Sequence, residues 1–467
     1  MNENTRKQVA MRHRTLVAFG WFFLVLAFTA PGADVESVWG GARGTLVLKS
    51  DGTVWTWGAN FGGKLGLGVA TNVLTRVLVP NEAHGPGNSG YLNSIKAIMG
   101  GELHNMAVKS DGTVWAWGNN MFGQLGNGTT NDADAPVQVS GLSSITSLGG
   151  RAYHALAIKA DGTAWAWGWN SMGELGNGTT NPTTVPVQVV GLTNPIVVTA
   201  GYHYSVALMP DGTVCQWGHG RAIGNSNTPV QIPGFSNVTA ISGGWDHALA
   251  LKSDGTVWAW GLNGDGELGN GTTTNSAIPI QSVGLSNMVA VSGGDSHSSA
   301  LCRDGTVWKW GLNDVGELGN GTTNSVNPVP VKILLDNYGG GFSNVVKMAA
   351  RDYHNIALKQ DGSVWMWGAN DQGQCGDNTT NDRWRPVMVS GLGPRVDLSL
   401  NMQPSIEVGS ADLSWKSSTG EYFCIEYTTN IMDGFTNIFQ SNILANPPTS
   451  TVTVPMIDRQ GYYRLKF

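Results

Sequence analysis

A chain of 467 residues with 65 glycines and 19 tryptophans, yet only 13% charged residues, has the composition of neither a disordered polymer nor collagen, which needs glycine at every third position and dense proline. Its 27 basic and 33 acidic residues give a net charge of -6, which argues against binding nucleic acid through a basic field. So few charges suit sheets buried on both faces, and such a chain is searched first for repeats.

At the N-terminus, Arg6, Lys7, Arg12 and Arg14 precede an uninterrupted apolar run from Thr15 to Ala30. The run is shorter than the roughly 20 residues that a bilayer core needs, so residues 1–32 read as a cleaved signal peptide. The mature chain is expected to begin near Ala33 in an exported protein, extracellular, on the cell surface or periplasmic, with no membrane attachment after cleavage. Cys215, Cys302, Cys375 and Cys424 have no metal-ligand spacing, and nothing singles out a disulfide pair. Cys215 and Cys375 replace the Trp and Leu of sister units and read as small buried hydrophobes.

The string Asp-Gly-Thr/Ser-x-x-x-Trp-Gly begins at Asp51, Asp111, Asp161, Asp211, Asp254, Asp304 and Asp361, which makes seven copies of one unit. The copy from Ser242 to Gly271 shows the grammar. An apolar run from Ala248 to Leu251 meets Asp254-Gly255, the strongest short hairpin signal, and continues into Val257-Trp258-Ala259-Trp260. Gly266 to Gly271 predicts a tight loop, Pro279 to Gln281 a third strand and Met288 to Val291 a fourth. Four short strands per unit predict a β-propeller blade. The paired tryptophans lie two apart, on one strand face, where stacked blades would bury them.

The first unit begins at Val35 with no preceding Pro-Val strand, and the last ends at Pro386-Val387-Met388-Val389 with no following hairpin. These fragments complement each other, so residues 35–39 are expected to pair with 386–391 in one composite blade, which would remove an exposed edge. Residues 34–392 thus form an all-β, seven-bladed propeller. The fourth unit departs most, with Tyr204 for His, Cys215 for Trp and a shortened loop, and predicts an irregular blade edge. The first has Gly44 in place of His. From 395 to 467 the repeat stops, and alternating runs at 397–400, 412–415, 422–427, 451–454 and 462–465 predict a small β-sandwich-like module.

These GGxxH, DGTVWAWG, GxLGNG and PVxV elements resemble the RCC1-like repeat family over about 360 residues. The resemblance implies a seven-bladed propeller. Within that family, Ran exchange factors are nuclear and do not match a secretory signal. Plant ultraviolet receptors use rim tryptophans, of which only Trp245 is present here. Exported bacterial members that inhibit β-lactamases by covering the active site with one rim are the nearest parallel. The last segment loosely resembles fibronectin-like modules appended to exported bacterial proteins.

His104, His154, His247, His297 and His354 each lie seven residues before an Asp-Gly. Spread one per blade around a ring, they cannot converge on one metal, and they read as structural groups holding backbone within the blade. The Asp of each turn reads as a turn former. No nucleophile elbow, zinc motif or phosphate loop is present, and no cofactor is expected.

Function then falls to surface variation on a rigid frame. The residues just before each His position differ from copy to copy: Arg43, Glu102, Arg151, Tyr153, Tyr202, His203, Trp245, Asp246, Asp295, Arg351, Asp352 and Tyr353. They are expected on loops around one rim, where aromatic and Arg residues suit a protein interface. Trp169 and Trp384 are further loop aromatics, with a core role equally open. The reading is a noncatalytic exported scaffold, monomeric, that binds a protein or cell-surface polymer and not nucleic acid. Inhibition of a secreted enzyme and an enzyme with a rim site are the alternatives.

Overall fold

The computed structural model describes residues 35–69, 71–79, 91–219, 224–389 and 392, and the backbone of five strands between 410 and 466. The expected signal peptide lies outside these residues, as does the strand expected at 397–400. Seven four-stranded antiparallel sheets follow one another along the chain. Blades 1 to 7 span Val35–Leu78, Ile95–Gln138, Ile145–Gln188, Val197–Gln231, Val238–Gln281, Met288–Lys332 and Val345–Met388. In each, the strands pair in chain order. The first strands of all seven line a central lumen. The fourth strands are outermost, and six of them carry proline, as at Pro136, Pro186 and Pro279, whose missing N–H discourages pairing with another chain.

The expected composite blade does not form. Val35–Gly41 pairs with Gly44–Lys49 of its own unit, and Arg383–Met388 pairs with Val364–Gly368. The run before each GGxxH is the inner strand of the blade that follows it. The ends of the repeat array therefore coincide with a blade boundary, and both terminal blades already have four strands. The ring closes instead by face-to-face packing, in which Val35, Val38, Val47 and Trp57 share one cluster with Ile356, Leu358 and Met366.

That closing interface repeats the one between every other pair of blades. The second Trp of each pair is buried, and in every blade but the fifth its indole donates to a loop of the preceding blade: Trp117 to the Lys64 carbonyl at 2.9 Å, Trp310 to that of Glu267 at 2.7 Å. Trp57 donates to the Gln374 carbonyl of blade 7 at 2.8 Å. The neighbouring loop must come close. At Gly269, which has φ +66, a Cβ would lie 2.7 Å from the Trp310 indole nitrogen. The first Trp of most pairs is only half-buried. Trp258 donates to Thr256 Oγ1 at 3.1 Å, with the Lys252 ammonium 4.3 Å from its ring centroid.

The turn aspartates act as expected: Asp254 accepts from the Thr256 N–H at 2.9 Å and its hydroxyl at 2.6 Å, and these bonds hold its carboxyl below the usual range. His154, His247 and His297 bridge blades rather than holding backbone within one. His154 Nε2 lies 2.8 Å from Ser205 Oγ of the next blade, and His247 Nε2 lies 2.9 Å from Ser298 Oγ. Ser298 donates its proton to the Glu267 carbonyl at 2.8 Å, so His247 must be the donor and carry its proton on Nε2. A Cβ at Gly244 would meet the His247 ring at 2.2 Å and one at Gly294 the His297 ring at 2.3 Å, which accounts for the glycine three residues before these two histidines.

Blade 4 keeps all four strands, with an inner strand of four residues. Beside its shortened loop, the acceptor for the Trp260 indole is a side chain. The Gln216 side chain substitutes, its Oε1 accepting the indole proton at 2.9 Å. Cys375 is buried and Cys215 half-buried, both as free thiols whose burial raises their pKa. In the C-terminal segment, Ser410–Trp415 pairs with Ser450–Pro455, and Tyr422–Thr428 lies between Asn437–Leu444 and Tyr462–Lys466.

Candidate functional site

All inner strands run the same way, so the loops joining first to second strands gather at one end of the lumen. Backbone hydrogen bonds link them: Glu102 donates to Arg151 at 2.7 Å, Tyr202 to Trp245 at 2.8 Å and Asp295 to Asp352 at 3.3 Å. The predicted residues do meet on one rim. Four of them, however, are buried rather than solvated: Arg151 is 1% exposed, Asp295 8%, and Arg351 and Asp352 9%. Loops that converge on an axis turn side chains inward, and there the charges must pair.

Arg151 reaches from blade 3 to donate to the Gly243 carbonyl at 2.9 Å and the Gly293 carbonyl at 3.2 Å, and it pairs with Asp295. Arg351 lies over Trp39, 5.2 Å from the ring centroid. Arg43 sits further out and binds Asp371 at 2.7 Å. Burial, and then the Asp295 charge, raise the Glu102 carboxyl to about 7 and push that of Asp352 well above its usual range. Lys64, buried in the same region with no hydrogen-bond partner for its ammonium among the described residues, is lowered to about 8 by desolvation. Its sister positions are Gln124, Glu174, Glu267, Glu317 and Gln374. Several cap their own loop, as Glu267 does by accepting from the Asp265 N–H at 2.9 Å. Lysine cannot accept, and the Lys64 ammonium instead feels the Asp352 and Glu102 carboxylates of the mouth.

A carboxyl whose folded pKa is raised contributes stability that is present below its ordinary pKa and lost as pH rises. Asp352→Asn is a neutral mimic, and Asn tolerates the φ of +42 there. Relative to wild type the variant should gain about 1 to 2 kcal/mol between pH 5 and pH 8, read from urea midpoints at both pH values.

Around this charged mouth runs an aromatic arc. Trp169 packs on Phe122 at 4.2 Å, Phe122 on Tyr153 at 5.1 Å, Tyr153 on Tyr202 at 5.4 Å, and Tyr202 stacks on Trp245 at 4.1 Å. His203 lies 3.1 Å from Glu174, while Asp246 and Tyr353 are half-buried. The loops after the third strands, which sequence reasoning treated only as tight turns, divide the face. Blades 1 to 3 present Phe61, 57% exposed, Met121, 58%, and Met172, 40%. Blades 5 to 7 present Asp265, Asp314 and Asp371. Aligning the two residues after each loop Asn would have exposed this division. Trp384 stands apart on an outer strand, 52% exposed.

RCC1 (regulator of chromosome condensation) repeats match residues 51–108, 111–158, 161–208, 254–301, 304–358 and 361–399, and a second RCC1 repeat description matches 95–124, 238–267 and 345–374. Protein pim1 of Schizosaccharomyces pombe is 34% identical over 110 residues, 22% of this chain and 20% of its own. Human protein RCC2 is 32% identical over 103 residues, 22% of this chain and 18% of its own. The chain thus spans about a fifth or less of the length of the curated relatives it matches. The solved structure of Prp20p from Saccharomyces cerevisiae, described with its binding to Gsp1p and histones, has the same fold at a TM-score of 0.61. It is 21% identical, over 74% of this chain and 88% of that one. The unit that the first repeat description passes over, from 209 to 253, is the one with the shortened loop and the Gln216 substitute. With six matched repeats in a closed ring of seven blades, the chain belongs to the RCC1-repeat family.

Proposed function

We propose that the protein is an exported, noncatalytic scaffold that binds a protein or a cell-surface polymer through the plugged face. The observation that carries this reading is the arc from Trp169 to Trp245. Its aromatic side chains hold one another in place, so little entropy is lost when a partner covers them. Acids and bases do converge at the mouth, as an active site would require. They are spent on closing it, because Arg151 engages Asp295 and Arg351, Asp295 and Asp352 are nearly inaccessible. Export rests on the basic and apolar N-terminus. A second reading, inhibition of a secreted enzyme, draws on the same arc, since a continuous aromatic strip can cap an enzyme cleft.

The test uses immobilised protein to capture partners from the source organism's surface and secreted fractions, followed by titration of the captured partner. Trp245→Ala and Tyr153→Ala should each weaken binding by about 1 to 3 kcal/mol while shifting the melting temperature little. Normal binding by both variants would reject the arc as the interface. Mass spectrometry of secreted material should find a mature start between Pro31 and Val35, and an intact Met1 on a cytoplasmic protein would remove the exported reading.

A further inference from the structure

We propose that the central lumen is a binding site for a small oxyanion, a molecule bearing carboxylate or phosphate groups. The lumen is about 350 Å³, within the range of small-molecule sites, and is lined by the first strands of all seven blades. It lies inside the ring, apart from the aromatic arc, and this inference does not depend on what the arc binds.

Charge is the first argument. Arg351, Lys96 and Lys347 line the lumen against one acid, Glu36. Lys347 donates to the Glu36 backbone carbonyl and also feels the Glu36 carboxylate, so the three cations and one acid leave the lining positive. Arg351 is nine-tenths buried, and its Nη1 has no hydrogen-bond partner among the described residues. A guanidinium keeps its charge, and a buried N–H without an acceptor is costly. The acids nearest Arg351 across the mouth, Glu102 and Asp295, do not line the lumen, and Asp295 is engaged by Arg151.

Hydrogen-bond polarity is the second. Thr199, Ser242 and Ser292 line the lumen, and each accepts a backbone N–H of the next blade, from Gly243 at 3.2 Å, Gly293 at 3.1 Å and Ala350 at 2.9 Å. A hydroxyl that has accepted still has its own proton to donate. Ser37 and Ser147 add two more hydroxyls. The Gly243 and Gly293 carbonyls are already taken by Arg151. The lumen therefore sets these hydroxyl donors beside three cationic side chains, and its complement is an acceptor-rich anion.

Calorimetric titration at constant ionic strength, with citrate in one arm, inorganic phosphate in another and chloride as reference, tests this. The expected result is saturable binding with one site per chain for at least one of the two, together with a rise in melting temperature. The arm that binds more tightly identifies carboxylate or phosphate as the preferred group. Arg351→Gln should weaken binding at least tenfold. Ser147→Leu, which narrows the lumen at a hydroxyl that bonds no described residue, should do the same and keeps the test open if the arginine variant does not fold. Absence of saturation with both anions overturns the proposal. Equal binding by wild type and a folded lumen variant also overturns it, because the site would then lie on the outer surface.

Discussion

Trp57→Ala is expected to lower the unfolding free energy by about 3 to 5 kcal/mol, the usual cost of deleting a fully buried large aromatic. Trp57 is inaccessible to solvent, belongs to the cluster shared by blades 1 and 7, and donates to the Gln374 carbonyl across the closing interface. Its loss leaves a cavity and an unsatisfied acceptor at the one junction between blades that chain connectivity does not reinforce. Trp57→Phe, which retains most of the ring but not the N–H, should cost less, about 1 to 3 kcal/mol. Trp55→Ala, at the half-buried position of the pair, should cost about 1 to 2 kcal/mol by the smaller area it covers. Denaturant titrations of the three variants check the order. A Trp57→Ala loss no larger than that of Trp55→Ala would mean that the ring does not depend on this interface.

The second large effect is acid-dependent. Burial lowers the His247 pKa to about 3 in the folded state, against an ordinary value of about 6.5. A folded pKa that is depressed contributes stability that is present above the unfolded pKa and lost as pH falls. The unfolded chain takes up a proton below about 6.5 that the folded chain refuses. Glu267 and Glu317, which burial raises to about 7, act in the opposite direction between their ordinary values and neutrality. The bulk stability curve therefore flattens over mildly acidic pH, and the site must be read by difference. His247→Gln removes the titration together with the hydrogen bond to Ser298. Its deficit relative to wild type at pH 7 should shrink by about 2 to 3 kcal/mol at pH 4.5, measured by urea unfolding at both pH values. A deficit that stays constant would show that His247 titrates alike in both states.

Much of the blade could be read directly from the residues. Asp254-Gly255 between two apolar runs marks a hairpin because Gly accepts positive φ and Asp bonds the turn backbone, and both preferences are local. The phase of the blades was a different matter. Whether Met288–Gly293 closes one blade or opens the next depends on which neighbour it pairs with, and alternation along a strand is the same in either case. The composite blade failed for that reason. The histidines were recognised as structural, but their partners Ser205, Ser298 and Asn355 lie 51 to 58 residues away in the chain, on another blade.

The candidate site divides along the same line. That the residues from Arg43 to Tyr353 share a rim followed from their common place in the repeat, and the repeat alone determined it. Which of them would be buried did not follow, because Arg151 and Tyr153 occupy the same loop, two residues apart. One turns to the axis and meets the Gly243 and Gly293 carbonyls, while the other joins Phe122 and Tyr202. The sequence by itself determined seven units, their hairpins and the tryptophan spacing, since these rest on backbone preferences and strand periodicity. Only the closed ring decided the plug and the lumen. Those features are made where residues of different blades approach one axis, and the side chains that fill so narrow a space are selected by size and charge against neighbours far away in the chain.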